Sequence, residues 1–185
     1  FVQGVSMGGW VTMKFACKYP DAARGIILLD TEAFLDLESI CQRYQQVGGQ
    51  EAADLARKFF QEKTPSPDEI EQYFLKCIPL CSNTPVPDYY FKCAIMKPEI
   101  GVHFQKERAH YNILDKISAI TGPVLYLTNT TNPSHILASA EKTADAMVNA
   151  EVTFVPFPDC GLVQHDAKEA GVLEIKKFLK AHYYS

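Results

Sequence analysis

The stretch FVQGVSMGGW, residues 1–10, contains a serine between two glycines in the spacing Gly-x-Ser-x-Gly, formed by Gly4, Ser6 and Gly8. This spacing is typical of a serine nucleophile that stands on a sharp turn between a strand and a helix. A β-carbon at either glycine would crowd the neighbouring strand and helix, so we expect both glycines to leave room for the turn. The stretch therefore predicts that Ser6 follows a strand and precedes a helix.

The residues after this turn alternate between predicted helices and predicted strands. The helix that begins after Ser6 is predicted to end before Pro20. The continuous apolar run Ile26–Leu29 is typical of a strand in a parallel sheet that is covered on both faces. Farther along the chain, strands are predicted at 122–128 and 151–157, and helices at 134–148 and 167–182. This alternation predicts an α/β fold with a mostly parallel sheet and helices on both faces.

The region between the second and third predicted strands has a different, helical pattern. Amphipathic stretches and several prolines divide it into short pieces. We therefore predict three parts of the chain: the nucleophile turn with its helix and following strand at 1–33, an inserted helical cap at 34–120, and the remaining strands and helices of the sheet at 121–185.

The composition limits the partners that the chain can have. A formal net charge of −4 without a basic stripe argues against nucleic acid or an anionic membrane, and favours a small-molecule substrate or an apolar ligand. The sequence contains neither an apolar stretch of about 18 residues nor the pattern of a signal peptide. The six cysteines match no zinc-binding spacing, so we predict no metal, and we predict no cofactor. Because six cysteines in a chain of this length are too sparse to imply a disulfide scaffold, we predict reduced thiols and a cytoplasmic location.

The order of these segments resembles the C-terminal two-thirds of the α/β-hydrolase fold. The stretch GVSMGGWVTMKFACKYPDAARGIILLDT, residues 4–31, resembles the run from the nucleophile to the next strand in that family. In the predicted cap, ARKFFQEKTPSPDEIEQYFLKCIPL and KPEIGVHF resemble the proline iminopeptidase-like branch. The resemblance implies a serine hydrolase of small ester or amide substrates. Since the nucleophile strand lies near the middle of this fold, we expect the N-terminal part of the fold to be absent from the chain.

The resemblance also implies a catalytic triad. Ser6 would attack a carbonyl carbon, and the backbone N–H of Met7 would donate a hydrogen bond to the oxyanion. In the family the acid follows the strand that corresponds to 122–128, and the histidine follows the last strand. These two positions hold Asn132 and Leu162. Leucine has no proton to transfer and asparagine carries no charge, so the resemblance implies a degraded triad.

Other residues could replace the missing partners. His165 follows the position of the expected histidine by three residues and could be a displaced base, although a second, non-catalytic histidine is common there. Asp30 and Glu32 follow the second strand, where some α/β-hydrolases place their acid, but helix capping or a turn would also explain them. His135 is predicted to be a polar residue at a helix start, and a role as the base is the weaker alternative.

The predicted cap carries histidines and aromatic residues of its own. His103 and His110 are predicted to be solvated or to face a substrate. The aromatic side chains could line an apolar acyl pocket or simply pack the cap onto the sheet; they include Tyr73, Phe74, Tyr89, Tyr90 and Phe91.

Three functions remain open on the sequence alone. The first is a serine hydrolase with Ser6 as its nucleophile. The second is a non-catalytic binding or scaffold protein on the same fold, because DCGLVQH, residues 159–165, resembles the histidine-poor final loop of the N-myc downstream-regulated proteins. A cofactor-free lyase or acyltransferase on this fold is a third, weaker alternative.

Overall fold

The computed structural model describes residues 1–61, 66–85, 107–108 and 110–183. The predicted cap residues His103, Tyr89, Tyr90 and Phe91 lie outside these ranges. Within the ranges, no helix is both long enough and apolar enough to cross a membrane.

Four parallel strands form one sheet. In their spatial order they are β1 (Val2–Val5), β2 (Ile26–Leu29), β3 (Pro123–Asn129) and β4 (Glu151–Phe157). The register places Val2 opposite Ile26, Ile26 opposite Val124, and Val124 opposite Val152. The predicted α/β fold with a parallel sheet is therefore confirmed.

Helices connect and cover these strands. They are α1 (Met7–Lys18), α2 (Leu37–Gln61), α3 (Pro67–Lys76), α4 (Leu137–Ala146), α5 (Val163–Asp166) and α6 (Lys168–His182), with short 3₁₀ helices at Ile78–Cys81 and Ile117–Ala119. α2 is interrupted at Gly49, whose φ of 76° suits glycine and bends the helix. α4 begins later than the predicted 134, because the backbone N–H of Ser134 donates instead to the side chain of Asn132 in a turn.

Burial on both faces explains the continuous apolar run of β2. Ile26 and Leu28 belong to the apolar cluster that contains the buried residues of α1 and α4. Ile27 and Leu29 belong to the opposite cluster, which contains buried residues of α5 and α6. Because successive side chains of a strand point to opposite faces, a strand covered on both faces must be apolar at every position.

α1 begins at a sharp turn that Ser6 makes after β1. Ser6 has a φ of 50°, in the left-handed region. A β-carbon on Gly4 would lie 2.3 Å from the carbonyl oxygen of Gly8, and one on Gly9 would lie 2.4 Å from the side chain of Thr31. A β-carbon on Gly8 would meet nothing within 4 Å, so the expectation that Gly8 makes room for the turn is wrong. Gly9 is the second crowded glycine, because the start of α1 packs against Thr31.

A buried polar group joins α2 and α3 to the loop after β3. We call Tyr44, Tyr73, Cys81 and Ser134 the tyrosine cluster. The Tyr44 hydroxyl lies 3.0 Å from the Tyr73 hydroxyl, 3.2 Å from Cys81 Sγ and 2.5 Å from Ser134 Oγ. These hydrogen bonds satisfy polar groups that are buried among apolar side chains. The cluster therefore fixes α2 and α3 against the edge of the sheet.

A second polar contact joins α5 to the residues after the first 3₁₀ helix. Partial burial opposes ionisation of Asp166, but hydrogen bonds outweigh it and hold the pKa of this carboxyl well below its usual range. Asp166 accepts hydrogen bonds from the hydroxyls of Ser82 and Thr84, at 2.7 and 2.8 Å, and from the backbone N–H groups of Asn83, Gly161 and Leu162, at 3.1, 2.9 and 3.0 Å.

Replacing Gly4 with alanine is expected to lower the free energy of unfolding by about 1–3 kcal/mol, because the new methyl group would overlap the carbonyl of Gly8. The matched control is Gly8→Ala, which puts a methyl group into open space within α1 and is expected to raise stability by up to about 1 kcal/mol. Urea denaturation of both variants measures the difference. A Gly4→Ala variant as stable as Gly8→Ala would contradict the close approach of β1 and α1.

Replacing Asp166 with asparagine is expected to destabilise the fold at pH 7, with a loss that shrinks in acid. The pKa of Asp166 is lower in the folded state than the value of about 3.9 expected for the unfolded chain. The contribution of the carboxylate is therefore complete above that value and is lost as the pH falls toward the folded-state pKa. The urea midpoints of the wild type and the variant should therefore differ fully at pH 7 and approach each other progressively as the pH falls below about 4.

The control for this prediction is Asp21→Asn. Asp21 is exposed and accepts no side-chain hydrogen bond within the part of the chain that the structure describes. Its replacement should change the urea midpoint little at either pH. A loss for Asp166→Asn that is equally large at pH 7 and pH 3 would argue against an ionised, hydrogen-bonded Asp166.

Candidate active site

The residues singled out in the sequence meet at one edge of the sheet. Ser6 directly follows β1, Asp30 directly follows β2, and Asn132 lies three residues after β3. These strands are parallel neighbours, so their carboxyl ends lie side by side. In open α/β sheets this edge is where ligands bind.

Hydrogen bonds hold the backbone of Ser6, whereas its side-chain hydroxyl makes no hydrogen bond to the described residues. The backbone N–H of Ser6 donates to the carbonyl of Leu29 at 3.0 Å, and the Thr31 hydroxyl donates to the carbonyl of Ser6 at 2.9 Å. The side chain is half-buried, and Oγ has no hydrogen-bond partner among the described residues. A non-glycine residue in the left-handed region costs about 1–3 kcal/mol, and such strain is common at functional sites. The turn therefore presents a hydroxyl that the fold itself does not use.

The first turn of α1 offers hydrogen-bond donors beside this hydroxyl. The backbone N–H groups of Met7 and Gly8 have no acceptor within the described ranges, as is usual at a helix N-terminus. The helix dipole adds a partial positive charge at the same place. Developing negative charge on an oxygen next to Ser6 would therefore be stabilised there.

Asp30 is a buried carboxylate that connects three elements. Its Oδ1 accepts from the backbone N–H and the side-chain amide of Asn129, at 3.0 and 2.8 Å, and its Oδ2 accepts from the backbone N–H of Val163 at 3.1 Å. Burial raises the pKa of Asp30, and the nearby His135 together with these hydrogen bonds only partly opposes that effect. Both oxygens are thus engaged in holding β3 and α5 against the end of β2.

Glu32 and His135 form a hydrogen-bonded pair at this edge. His135 Nδ1 lies 3.2 Å and 3.1 Å from the two carboxylate oxygens of Glu32. Only 12% of the His135 side chain and 9% of the Glu32 side chain are exposed. Burial opposes the charged imidazolium, but the charge and the hydrogen bond of Glu32 outweigh it and raise the pKa of His135.

The sequence does not predict this pair, because its local pattern indicates only that His135 is a polar residue at a helix start. The two residues are 103 positions apart. The sequence gives only an indirect indication of the pair. Glu32 and His135 each follow a predicted strand, and parallel strands that are neighbours bring their carboxyl ends together.

Asn132, which occupies the position expected for the acid, shapes the turn before His135. Its Oδ1 accepts from the backbone N–H of Ser134 at 2.8 Å, and its carbonyl accepts from the N–H of His135 at 3.3 Å. Its own N–H donates to the side chain of Asn129 at 3.0 Å. Asn132 is 2% exposed, and its side-chain oxygen is used to hold this local turn.

His165 lies on α5 rather than on an open loop. Its backbone N–H donates to the carbonyl of Leu162 at 2.9 Å, and its side chain is half-buried. The structure shows no hydrogen bond between the imidazole and Ser6. Leu162 packs against the apolar cluster of α2 and α3, which gives this residue a packing role.

No group of three or more histidine, cysteine, aspartate or glutamate side chains within the described ranges is arranged to hold a metal ion. Glu32 and His135 are hydrogen-bonded to each other, and Asp30 accepts from the side-chain amide of Asn129 and from the backbone N–H groups of Asn129 and Val163. The side chains at this edge that can take part in chemistry include a hydroxyl, an imidazole and carboxyl groups.

Comparisons with known proteins match only solved structures. No family model matches the chain, and no curated protein matches its sequence. A thermophilic esterase from Thermogutta terrifontis is 25% identical, with a TM-score of 0.58 over 98% of this chain and 65% of the esterase. An alpha/beta hydrolase enzyme from a Medee basin deep-sea metagenome library is 16% identical, with a TM-score of 0.63 over 96% of this chain and 64% of that enzyme.

Proline iminopeptidase from Mycobacterium smegmatis is a further match. It is 16% identical, with a TM-score of 0.66 over 97% of this chain and 64% of the peptidase. The chain thus spans about two thirds of the length of these proteins. Together with the four parallel strands and their flanking helices, these similarities show that the chain has part of the α/β-hydrolase fold.

Proposed function

We propose that the protein is a serine hydrolase that cleaves small esters or amides with Ser6 as its nucleophile. One observation carries the proposal: Ser6 adopts a strained left-handed conformation between β1 and α1, and its hydroxyl is not used by the fold. The structural likeness to an esterase and to a proline iminopeptidase supports this class of reaction.

The proposed reaction follows from the groups around Ser6. Oγ attacks the carbonyl carbon of the substrate, and the N–H of Met7 donates a hydrogen bond to the oxyanion that forms. A base accepts the proton of Ser6 and then passes it to the leaving alcohol or amine. Water releases the acyl group by the same route. Two histidines, His165 and His135, are candidates for the base.

A small-molecule substrate and a cytoplasmic location belong to the same proposal. The absence of a basic stripe and the net charge of −4 support a substrate other than nucleic acid. Six cysteines in 185 residues are too sparse to imply a disulfide scaffold, which supports a reducing compartment.

A second candidate function is a non-catalytic protein that binds an apolar ligand on the same fold. One observation favours it: no base is hydrogen-bonded to Ser6 Oγ among the described residues, while the side chain of Asn132 is engaged in a turn. A hydrolase of this fold without its base would lose most of its turnover, on the order of 10⁶-fold for the triad histidine of subtilisin.

A fluorophosphonate probe is expected to label wild-type protein at Ser6, because the probe reacts with activated serine hydroxyls and mimics the tetrahedral intermediate. Ser6→Ala should abolish labelling and the hydrolysis of p-nitrophenyl butyrate. Mass spectrometry of the labelled peptide locates the site. The control is Ser118→Ala, at the 3₁₀ helix Ile117–Ala119 before β3, which should be labelled as the wild type is.

The opposite result would support the second candidate. Folded wild-type protein that is not labelled and does not hydrolyse the ester, but binds a fluorescent fatty acid, would be a binding protein. Ester hydrolysis that persists in Ser6→Ala would show that another group performs the reaction.

A further inference from the structure

We propose that Thr31 is a positioning residue for the reaction at Ser6. Its hydroxyl fixes the peptide unit between Ser6 and Met7, and this peptide unit carries the N–H that donates to the oxyanion. The inference rests on the proposed hydrolase function and assigns a role to a residue that belongs to neither the expected triad nor its possible replacements.

The hydroxyl of Thr31 reaches the turn at Ser6 from a different element of the fold. Thr31 lies two residues after β2 and is completely buried, and its Oγ1 donates to the carbonyl of Ser6 at 2.9 Å. The same carbonyl accepts from the N–H groups of Gly9, at 2.9 Å, and Trp10, at 3.4 Å, which both belong to α1. Among the described residues, Thr31 is therefore the one donor that ties this carbonyl to the sheet rather than to its own helix.

The peptide unit between Ser6 and Met7 transmits this contact to the proposed oxyanion donor. A trans peptide unit is planar, and its C=O and N–H groups point in opposite directions. The hydrogen bonds that hold the carbonyl of Ser6 therefore also fix the direction of the Met7 N–H, which has no acceptor within the described ranges. The Thr31 hydroxyl thus orients this N–H without contacting the substrate.

The backbone conformation of Ser6 explains why the peptide unit needs such a restraint. Ser6 has a φ of 50° and a ψ of −119°. A non-glycine residue keeps so unfavourable a conformation only where the surrounding structure holds it. Rotation about ψ of Ser6 would turn its carbonyl away from Thr31 and would turn the Met7 N–H with it. The hydrogen bond from Thr31 opposes this rotation.

The elements around Thr31 hold its side chain in place. Asp30 directs the chain out of β2 with a φ of 45°, and its N–H donates to the carbonyl of Leu127 at 3.0 Å. The buried hydroxyl of Tyr126 in β3 donates to the carbonyl of Thr31. Gly9 makes room for the side chain, because a β-carbon there would lie 2.4 Å from Oγ1 and Cγ2 of Thr31. Thr31 is therefore a preorganised donor, which needs no rearrangement during the reaction.

The chemistry of ester cleavage predicts which rate constant depends on Thr31. As Ser6 Oγ bonds to the carbonyl carbon, the carbonyl π pair moves onto the oxygen and the hydroxyl proton passes to a base. The negative charge on that oxygen develops in the transition state and is absent from the bound substrate. An oriented N–H donor therefore raises kcat and changes KM little.

The test compares Thr31→Ala with Thr31→Ser in the hydrolysis of p-nitrophenyl butyrate. Both variants lose the methyl group that packs against Gly9, but only Thr31→Ser keeps the hydroxyl. Loss of an oxyanion donor costs about 10²–10³-fold in kcat, and we expect a misdirected donor to cost less, about 10–100-fold. Thr31→Ala should therefore lower kcat by this factor with KM nearly unchanged, and Thr31→Ser should stay within about threefold of wild type.

Two further variants separate the hydroxyl from packing and stability. Thr31→Val restores a methyl group against Gly9 but has no donor, so its kcat should be as low as that of Thr31→Ala. Thr128→Ala is the matched control in β3, because the Thr128 hydroxyl is buried and has no partner among the described residues. It should keep the wild-type kcat even where its urea midpoint falls. Circular dichroism confirms that each variant is folded in the assay.

A second measurement follows the peptide unit itself and needs no turnover. In ¹⁵N-labelled protein, the amide signal of Met7 should be displaced in Thr31→Ala and should return toward its wild-type position in Thr31→Ser. Thr128→Ala should leave this signal where it is in the wild type. A Met7 signal that is the same in Thr31→Ala and wild type would contradict the proposed link.

The outcomes separate this inference from the proposed function. If Ser6 is labelled and the ester is cleaved, but Thr31→Ala and Thr31→Ser have equal kcat values, Thr31 is not a positioning residue and the hydrolase proposal stands. An increase in KM with kcat unchanged would likewise overturn the inference alone. If wild-type Ser6 is not labelled and no ester is cleaved, the hydrolase proposal fails and the inference fails with it.

Discussion

The buried carboxylate of Asp30 is the contact on which the arrangement of the sheet edge depends. It follows β2 in a left-handed conformation and accepts hydrogen bonds from Asn129 at the end of β3 and from Val163 at the start of α5. A buried carboxylate that lost one of these donors would be costly, on the order of several kcal/mol. The end of β3 and the start of α5 must therefore both be formed for Asp30 to keep its hydrogen bonds, so this edge of the sheet forms cooperatively.

The last residue of β3 and the loop after it extend this cooperative unit, because their polar residues bind different partners. Asn129 binds Asp30, Asn132 closes the turn, Ser134 joins the tyrosine cluster and His135 pairs with Glu32. The loop is thus a polar junction between the sheet and the helices α2 and α3. Such a network is stable only when each buried polar group has a hydrogen-bond partner.

The sequence predicts the sheet well and the site only in part. The run Ile26–Leu29 is apolar because both faces are buried, and this local pattern is enough to predict a central parallel strand. Crowding at Gly9 depends on Thr31, and the pairing of His135 depends on Glu32, so neither can be read from nearby residues. Local periodicity determines the elements, whereas the site is made by contacts between elements that are distant in the chain.

The tyrosine cluster has a mechanical consequence for His135. Ser134 is bonded to Tyr44 of α2 and Tyr73 of α3, and the next residue in the chain is His135. If α2 or α3 moved away from the sheet, the hydrogen bonds of Ser134 would move with it, and Ser134 directly precedes His135 in the chain. The orientation of the His135 ring therefore depends on the positions of α2 and α3. If these two helices moved away from the sheet, the ring would change its orientation at the same time.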